Sequence, residues 1–394
     1  MNTQQNPVTK QAKGNEGRTE AKGKRRPFRR LYEGVASHIR TLKYRRFIKN
    51  YDRKALLYLL YADSSKEALR FFESSGDSFV KIEGYHLAAG AYKQAAIRAD
   101  TKEEQLRLWE LAGAYFAQAG IYTGAANAYK DAAKCAPTEE KLRLGKLAGH
   151  YHIKAGNPGK GAKTYRETAN LYATNNKEKS ELYLLAGDAY LEMGDLARAT
   201  AEYREAIPYA GVDEKESLRS SVTEKLVYIA KNLVRIVEGE DVPETKSLRA
   251  IIEYSKNDYG DEEEVKNIEY FIAGNVYREA AWFANDKEAS WLFELAGDNY
   301  LRFGYAKGMN FAAEAYKAVI QHADTDRKET LRTTVHEMFA TEAEKCIDKK
   351  NYESAAIAYR KAAEFADKEE TKTLLLGMAD RLEKRKGGQL GITV

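Results

Sequence analysis

Paired histidines, lone cysteines and one glycine-rich segment are the features of this sequence that could support chemistry. His150 and His152 lie two residues apart on a predicted helix, so their side chains point about 200° apart and cannot both bind one metal ion. Three further histidines have no carboxylate or cysteine at ligand spacing: His86, His322 and His336. The sixth, His38, lies in a basic segment. We therefore predict no metal site.

The segment at residues 156–161, GNPGKG, has the glycines and the lysine of a phosphate-binding loop. It lacks the GK[ST] ending at the required spacing and follows a predicted helix instead of a strand, so we interpret it as a turn between helices. Cys135 and Cys346 are isolated and are expected to be buried small residues. The acidic run at 261–264 lacks the alternating ligands of a calcium loop. We predict a non-enzymatic protein with no catalytic residue and no cofactor.

The composition is that of a globular protein. Of its 394 residues, 43% are hydrophobic and 31% are charged, and no apolar run approaches the roughly 20 residues that span a bilayer. The first twenty residues lack the apolar stretch of a secretory signal, which favours a cytoplasmic location. Two cysteines and five methionines stand against 64 basic and 59 acidic side chains, a bias typical of hyperthermophile proteins.

The net charge of +5 is unevenly distributed along the chain. Residues 1–50 hold 14 Lys or Arg and three acidic residues, a net charge of +11, whereas the remaining chain holds 50 basic and 56 acidic side chains, a net charge of −6. Residues 1–23 are polar and are predicted to be disordered. Residues 24–50 are predicted to form a basic arm with a helix, in which apolar side chains can form one stripe. The sequence thus joins a basic arm to an acidic body.

The basic arm combines positive charge with aromatic rings, a mixture that suits phosphate contacts and stacking on unpaired RNA bases. The predicted polyanion contacts are Lys24, Arg25, Arg26, Arg29, Arg30, Arg40, Lys43, Arg45, Arg46 and Lys49. The candidate stacking residues are Phe28, Tyr32, Tyr44 and Phe47. Two alternatives remain open: a solvated basic face with no target, and binding to a membrane surface or an acidic protein.

Two short motifs recur along the chain. Leu-Ala-Gly occurs at 111–113, 147–149, 185–187 and 295–297. Each is followed by an Ala-containing segment that ends in tyrosine, and these tyrosines are Tyr129, Tyr165, Tyr203 and Tyr316, with related ones at Tyr92 and Tyr359. From Tyr92 to Tyr203 they recur with a period of about 37 residues, which indicates a repeat architecture.

Each period contains two segments with apolar or small residues at i, i+3, i+4 and i+7, so each unit is predicted to be a helical hairpin. A single hairpin cannot bury its apolar face, but stacked hairpins can. We therefore predict an all-α, right-handed α-solenoid of about eight stacked hairpins over residues 51–368. Residues 208–268 are interpreted as degenerate repeats, 369–386 as a capping helix and 387–394 as a tail.

Paired alanines, regularly placed tyrosines and Gly-Asp-x-Tyr in helical hairpins resemble tetratricopeptide-type repeats. The period is longer than that of the tetratricopeptide repeat, which is about 34 residues, and the long hairpins are more similar to soluble NSF attachment protein-like repeats. The resemblance covers roughly residues 66–367 and implies a binding scaffold with protein partners and no small-molecule substrate.

Together, the arm and the repeats predict an adaptor that binds a protein partner and docks on RNA or a ribonucleoprotein. The most specific form of this hypothesis is a ribosome-associated factor of the hibernation or anti-association type. It would act as a homodimer that bridges or blocks ribosomal subunits, with the solenoid holding a ribosomal protein. The alternative is an attachment-protein-like adaptor for membrane or coiled-coil protein complexes.

Overall fold

The computed structural model describes residues 65–242, 245–258 and 268–386, and all regular secondary structure within these ranges is α-helical. The described helices are α1 Ser65–Lys81, α2 Tyr85–Arg98, α3 Lys102–Gln118, α4 Tyr122–Cys135, α5 Thr138–Lys154, α6 Pro158–Tyr172, α7 Asn176–Glu192, α8 Leu196–Tyr209, α9 Val212–Val237, α10 Lys246–Asp258, α11 Ile268–Phe283, α12 Asp286–Phe303, α13 Ala306–His322, α14 Thr325–Asp348, α15 Tyr352–Phe365 and α16 Glu369–Lys386. The predicted tails, the basic arm and the acidic run at 261–264 lie outside the described residues.

The turns inside the hairpins are built around residues with positive φ. Gly156 follows α5 with φ of +74°, and Gly194 follows α7 with φ of +87°, a backbone conformation that glycine adopts without steric cost. Lys350 adopts φ of +59° at the corresponding turn after α14. The glycine-rich segment at 156–161 is therefore a helix end followed by the first turn of α6, as the sequence predicted.

The chain divides into two compact units, residues 1–121 and 122–394. In the first unit, α2 packs against both α1 and α3. Phe72 and Phe79 of α1 are buried, and the ring of Tyr92 lies against Gly76. Aromatic side chains thus fill the space that small residues leave between the helices.

In the second unit, α4 to α8 pack consecutively, each helix against the next. Ion pairs about one repeat apart in sequence join equivalent helices of neighbouring hairpins, as in Lys146–Glu181 (2.9 Å) and Lys130–Glu167 (3.2 Å). Each exposed pair contributes about 0–1 kcal/mol. The buried core carries most of the stability, and a continuous cluster of alanine, tyrosine, leucine and phenylalanine runs from α6 to α16.

The segment predicted as degenerate repeats has a different construction. Helix α9 has 26 residues and pairs with α11, and the 13-residue helix α10 contacts α7, α9 and α11. The sequence from Gly187 in α7 to Gly297 in α12 is long enough for three periods. Only two hairpins, α7–α8 and α9–α11, lie in this stretch before α12, because the long helix α9 and the inserted helix α10 take up the additional length.

The end of the second unit returns to regular hairpins. Helices α12 and α13 form one pair, α14 and α15 form another, and α16 packs on α15. Helix α16 buries Leu375, Ala379 and Leu382 on one side, while Leu374 on another side is exposed. Within the described residues each unit is all-α, and the second unit is a solenoid of helical hairpins.

Candidate protein-binding groove

The residues predicted to contact polyanions, residues 24–49, lie outside the described residues together with the four stacking candidates. Their role therefore stays a prediction. The site residues that the structure describes are the histidines, the cysteines and the surfaces of the repeats.

His152 lies in the core of the second unit instead of at a site. It is buried, and its Nδ1 atom has no hydrogen-bond partner. Burial lowers the pKa of His152, and the charges of Lys160 and Lys130 lower it further. His150, by contrast, lines an open cavity next to α10. Across the described part of the chain, no cluster of three or more His, Cys, Asp or Glu side chains could hold a metal ion.

The two cysteines differ in burial. Cys346 is buried, and burial raises the pKa of its thiol to about 11, which leaves it protonated and unreactive at neutral pH. The Cys346 Sγ atom lies 3.9 Å from the carbonyl oxygen of Gly304. Cys135, at the end of α4, is only partly buried, so burial as a small core residue is correct for Cys346 alone.

A large groove lies between α12 and α14 in the second unit. Its cavity has a volume of about 930 Å³. Leu301 and Met338 contribute apolar surface, and Tyr270 contributes an aromatic ring. The charged side chains around it are Glu238, Asp298, Arg302, Glu337, Glu342, Lys345 and Lys349. The groove therefore combines an apolar surface with charges of both signs.

A second cavity of about 450 Å³ shares Arg302, Glu342 and Lys349 with this groove. It reaches the turn at Gly304 and Tyr305. The two cavities thus form one continuous surface that follows the ends of α12 and α14. We call this surface the α12–α14 groove.

Arg302 is held in the groove by two neighbours. Its guanidinium lies 2.9 Å from Glu238 and stacks over the ring of Tyr270 at 5.6 Å. Across the groove, Lys345 pairs with Glu342 at 3.1 Å. Asp298 accepts a hydrogen bond from the hydroxyl of Tyr316, so its carboxylate joins the groove to the core. These contacts place charges of both signs along the groove.

A third cavity, of about 600 Å³, lies beside α10. It is lined by the end of α5, the start of α6, the end of α7 and one side of α10. Lys246 on α10 lies 3.6 Å from Glu192 on α7. Helix α10 thus covers part of the surface formed by the end of α7.

Small-molecule sites bury most of their ligand among mainly apolar walls with few polar groups. The α12–α14 groove is instead open and heavily charged, which suits a protein segment that carries both apolar and charged side chains. The groove was not predicted from the sequence, because Asp298 alone among its lining residues belongs to a recurring motif, and that motif marks the packing of Tyr316. The only local signal was the run of lysines at positions 345, 349 and 350 near the end of α14.

Solved structures similar to this chain are helical-repeat proteins. This chain shares with them an all-α architecture of helical hairpins. A tetratricopeptide repeat protein from Parabacteroides merdae shares 12% identity, covering 80% of this chain and 99% of that chain with a TM-score of 0.26. A circular tandem repeat protein with a novel repeat topology shares 14% identity over 94% of each chain, with a TM-score of 0.30. The structure of Naa15/Naa10 bound to HypK-THB shares 16% identity over 91% of this chain and 66% of that chain, with a TM-score of 0.31.

No protein-family model matches the sequence, and no curated protein matches it either. Among the helices that the structure describes, none has both the length and the apolar character needed to cross a bilayer. Stacked helical repeats expose an extended surface to solvent.

Proposed function

We propose that this chain is a non-enzymatic scaffold that binds a protein partner through its repeats and a ribonucleoprotein through its basic arm. In the most specific form of the proposal, the ribonucleoprotein is the ribosome. The chain would then act as a homodimer that bridges or blocks ribosomal subunits, of the hibernation or anti-association type. The protein partner in that case is a ribosomal protein.

The observation that carries the scaffold part is the α12–α14 groove. Its apolar residues Leu301 and Met338 are surrounded by charges, as in protein interfaces, where an apolar centre is surrounded by a polar rim. Two of the potentially reactive side chains of the repeats, His152 and Cys346, are buried in the core. These features support binding without catalysis.

The ribonucleoprotein part rests on charge. Within the first 50 residues the net charge is +11, while the rest of the chain carries −6. A repeat body that is net acidic repels a polyanion, so RNA would be engaged by the arm. If about six phosphates are contacted, binding weakens on the order of a thousandfold between 50 and 200 mM salt.

Co-sedimentation with ribosomes tests this proposal. We expect the full chain to sediment with ribosomes at low salt and to be released as salt rises. The triple variant Arg25→Glu, Arg29→Glu, Arg30→Glu should no longer sediment. A matched control reverses three exposed lysines on the repeats, Lys102→Glu, Lys163→Glu and Lys287→Glu, and should sediment like the unmodified chain.

Equal loss in both triple variants would mean that overall charge, and not the arm, mediates binding. If no ribosome binding occurs but the chain floats with anionic vesicles, and added RNA does not compete, the attachment-protein-like adaptor replaces the ribosomal proposal. Flotation that RNA abolishes would instead support an arm directed at RNA.

A further inference from the structure

A block of three helices occurs twice in the second unit. Helices α7, α8 and α9 correspond to α12, α13 and α14. Gly187 and Gly297 occupy the same place in the two blocks, and so do Tyr203 and Tyr316. In both blocks the tyrosine ring packs on the glycine. The correspondence therefore holds in sequence and in side-chain packing.

Both blocks contain the same break in the stack. Helix α8 packs only loosely against α9, and α13 only loosely against α14, whereas most consecutive helices pack closely. The helices after the breaks are long, with 26 and 24 residues. In each, the eleventh residue is the first buried one, Val222 in α9 and Val335 in α14. The last helices of the two blocks are thus displaced in the same way.

In the first block, helix α10 lies against both sides of the break. It contacts α7 and α9 and buries Leu248 and Ile251. Its backbone lies so close to the α7–α8 turn that a Cβ atom at Gly194 would be 2.3 Å from the carbonyl oxygen of Ala250. Lys246, in the first turn of α10, pairs with Glu192 at 3.6 Å. The break thus accepts an amphipathic helix.

The second block has no inserted helix, because α14 ends at Asp348 and α15 begins at Tyr352. Gly304 takes the place of Gly194 and also has a positive φ, of +72°. At Gly304 the nearest atom to a Cβ would be a carboxylate oxygen of Glu342, 3.6 Å away. Among the described residues, no backbone of another helix therefore lies as close to this turn as α10 lies to Gly194. The α12–α14 groove is the surface that this leaves open.

We propose that the α12–α14 groove binds an amphipathic helix of a protein partner, in the position that α10 occupies in the first block. The occupant presents apolar side chains at i and i+3, like Leu248 and Ile251 of α10. This inference names the protein-binding site of the proposed scaffold and rests on that function. It does not depend on the basic arm.

The charges of the groove specify the occupant further. Arg302 stands where the first block has Glu192, so the residue that faces it should be acidic where α10 has Lys246. Lys349 and Lys350 stand where the first block has Ile236 and Val237. The end of the groove near Gly304 is therefore more basic than its counterpart. A helix with acidic residues at its start fits this end of the groove best.

Peptide binding to the full-length chain tests the inference. The probe is a fluorescent peptide with the sequence of residues 246–258 carrying Lys246→Glu, and the unmodified peptide is its control. Fluorescence anisotropy should show saturable binding of both, with the acidic peptide binding about three- to fivefold more tightly, as expected for one exposed ion pair. The chain variant Arg302→Glu should reverse this preference, and Lys163→Glu on α6 should leave it unchanged.

Circular dichroism checks that each variant is folded, and if Arg302→Glu is not, Arg302→Gln should abolish the preference instead of reversing it. The inference is overturned if neither peptide binds saturably, or if the preference is the same in the Arg302 and Lys163 variants. Ribosome co-sedimentation reports on the arm alone. Failure of peptide binding and failure of the ribosomal proposal are thus separate results.

Discussion

The hydroxyl of Tyr203 donates a hydrogen bond to Asp188 across 2.5 Å, while its ring lies on the neighbouring Gly187. The Asp188 carboxylate also pairs with Lys225 on α9. One tyrosine thus joins the two helices of a hairpin, and its acceptor joins that hairpin to the next helix. The same Gly-Asp and Tyr arrangement occurs at Gly76, Asp77 and Tyr92 and at Gly297, Asp298 and Tyr316.

Replacing Gly187 with alanine should destabilise the second unit. The added Cβ would lie 2.5 Å from a ring carbon of Tyr203, and overpacking of this kind costs about 1–3 kcal/mol. The control is Gly377→Ala in α16, where nothing lies within 4 Å of the added carbon. That change should stabilise the chain by up to about 1 kcal/mol. Thermal unfolding should show a lower Tm for the first variant only, and equal effects would contradict the packing described.

The variant Tyr203→Phe should lower the free energy of unfolding by about 1.5–3 kcal/mol, because it removes a hydrogen bond to a carboxylate. Burial, and then the charge of Asp188, hold the pKa of Tyr203 well above its usual range. The control is Tyr165→Phe. In that hairpin His150 occupies the position that corresponds to Asp188, so the carboxylate is replaced by an imidazole. Burial alone raises the pKa of Tyr165 to about 12. Urea unfolding should separate the two variants. A similar loss in both would mean that the Asp188 contact adds little.

Acidification should destabilise the second unit through His152. Its pKa is lowered in the folded chain by burial and by Lys160 and Lys130, so the unfolded chain binds more protons as pH falls. The contribution of neutral His152 to the free energy of unfolding is therefore fully present above about pH 6.5, the pKa of histidine in the unfolded chain. It decreases as the pH falls below that value. Unfolding followed at pH 7.5 and 5.5 should show this loss. His152→Leu should reduce it, and an unchanged pH dependence in that variant would exclude His152 as the cause.

Alkylation should distinguish the two cysteines. Burial raises the pKa of the Cys346 thiol to about 11, whereas Cys135 is partly exposed. With iodoacetamide at pH 8, mass spectrometry should find Cys135 modified at least about tenfold faster, because the thiolate is the reactive form. Equal rates in the folded chain would contradict the burial of Cys346, and unfolding in urea should equalise them.

Regular hairpins were predictable because their periodicity is local. The recurring tyrosines from Tyr92 to Tyr203 lie one on each of α2, α4, α6 and α8, and the turns after α5 and α7 fall at the predicted glycines. The construction of residues 208–268 was not predictable in this way. The first ten residues of α9 are largely exposed, so they carry no apolar pattern that would reveal the start of a longer helix.

The groove was not predictable from sequence for a different reason. Arg302 and Lys349 lie on separate elements, and their proximity depends on how α14 is displaced after the break. No periodic pattern in the sequence predicts this displacement of α14. The correspondence of Tyr203 and Tyr316 was visible in the sequence. The matching displacement of α9 and α14 is visible only in the three-dimensional structure.

Hydrogen exchange of the full chain with the acidic peptide tests most directly whether the α12–α14 groove receives a helix. The backbone amides around Gly304 and Lys350, on the two sides of the groove, should exchange more slowly when the peptide is bound. The equivalent turn at Gly194, which α10 already covers, should not change. Protection at Gly194 without protection at Gly304 would contradict the proposed site, because the peptide would then have displaced α10 instead of filling the open groove.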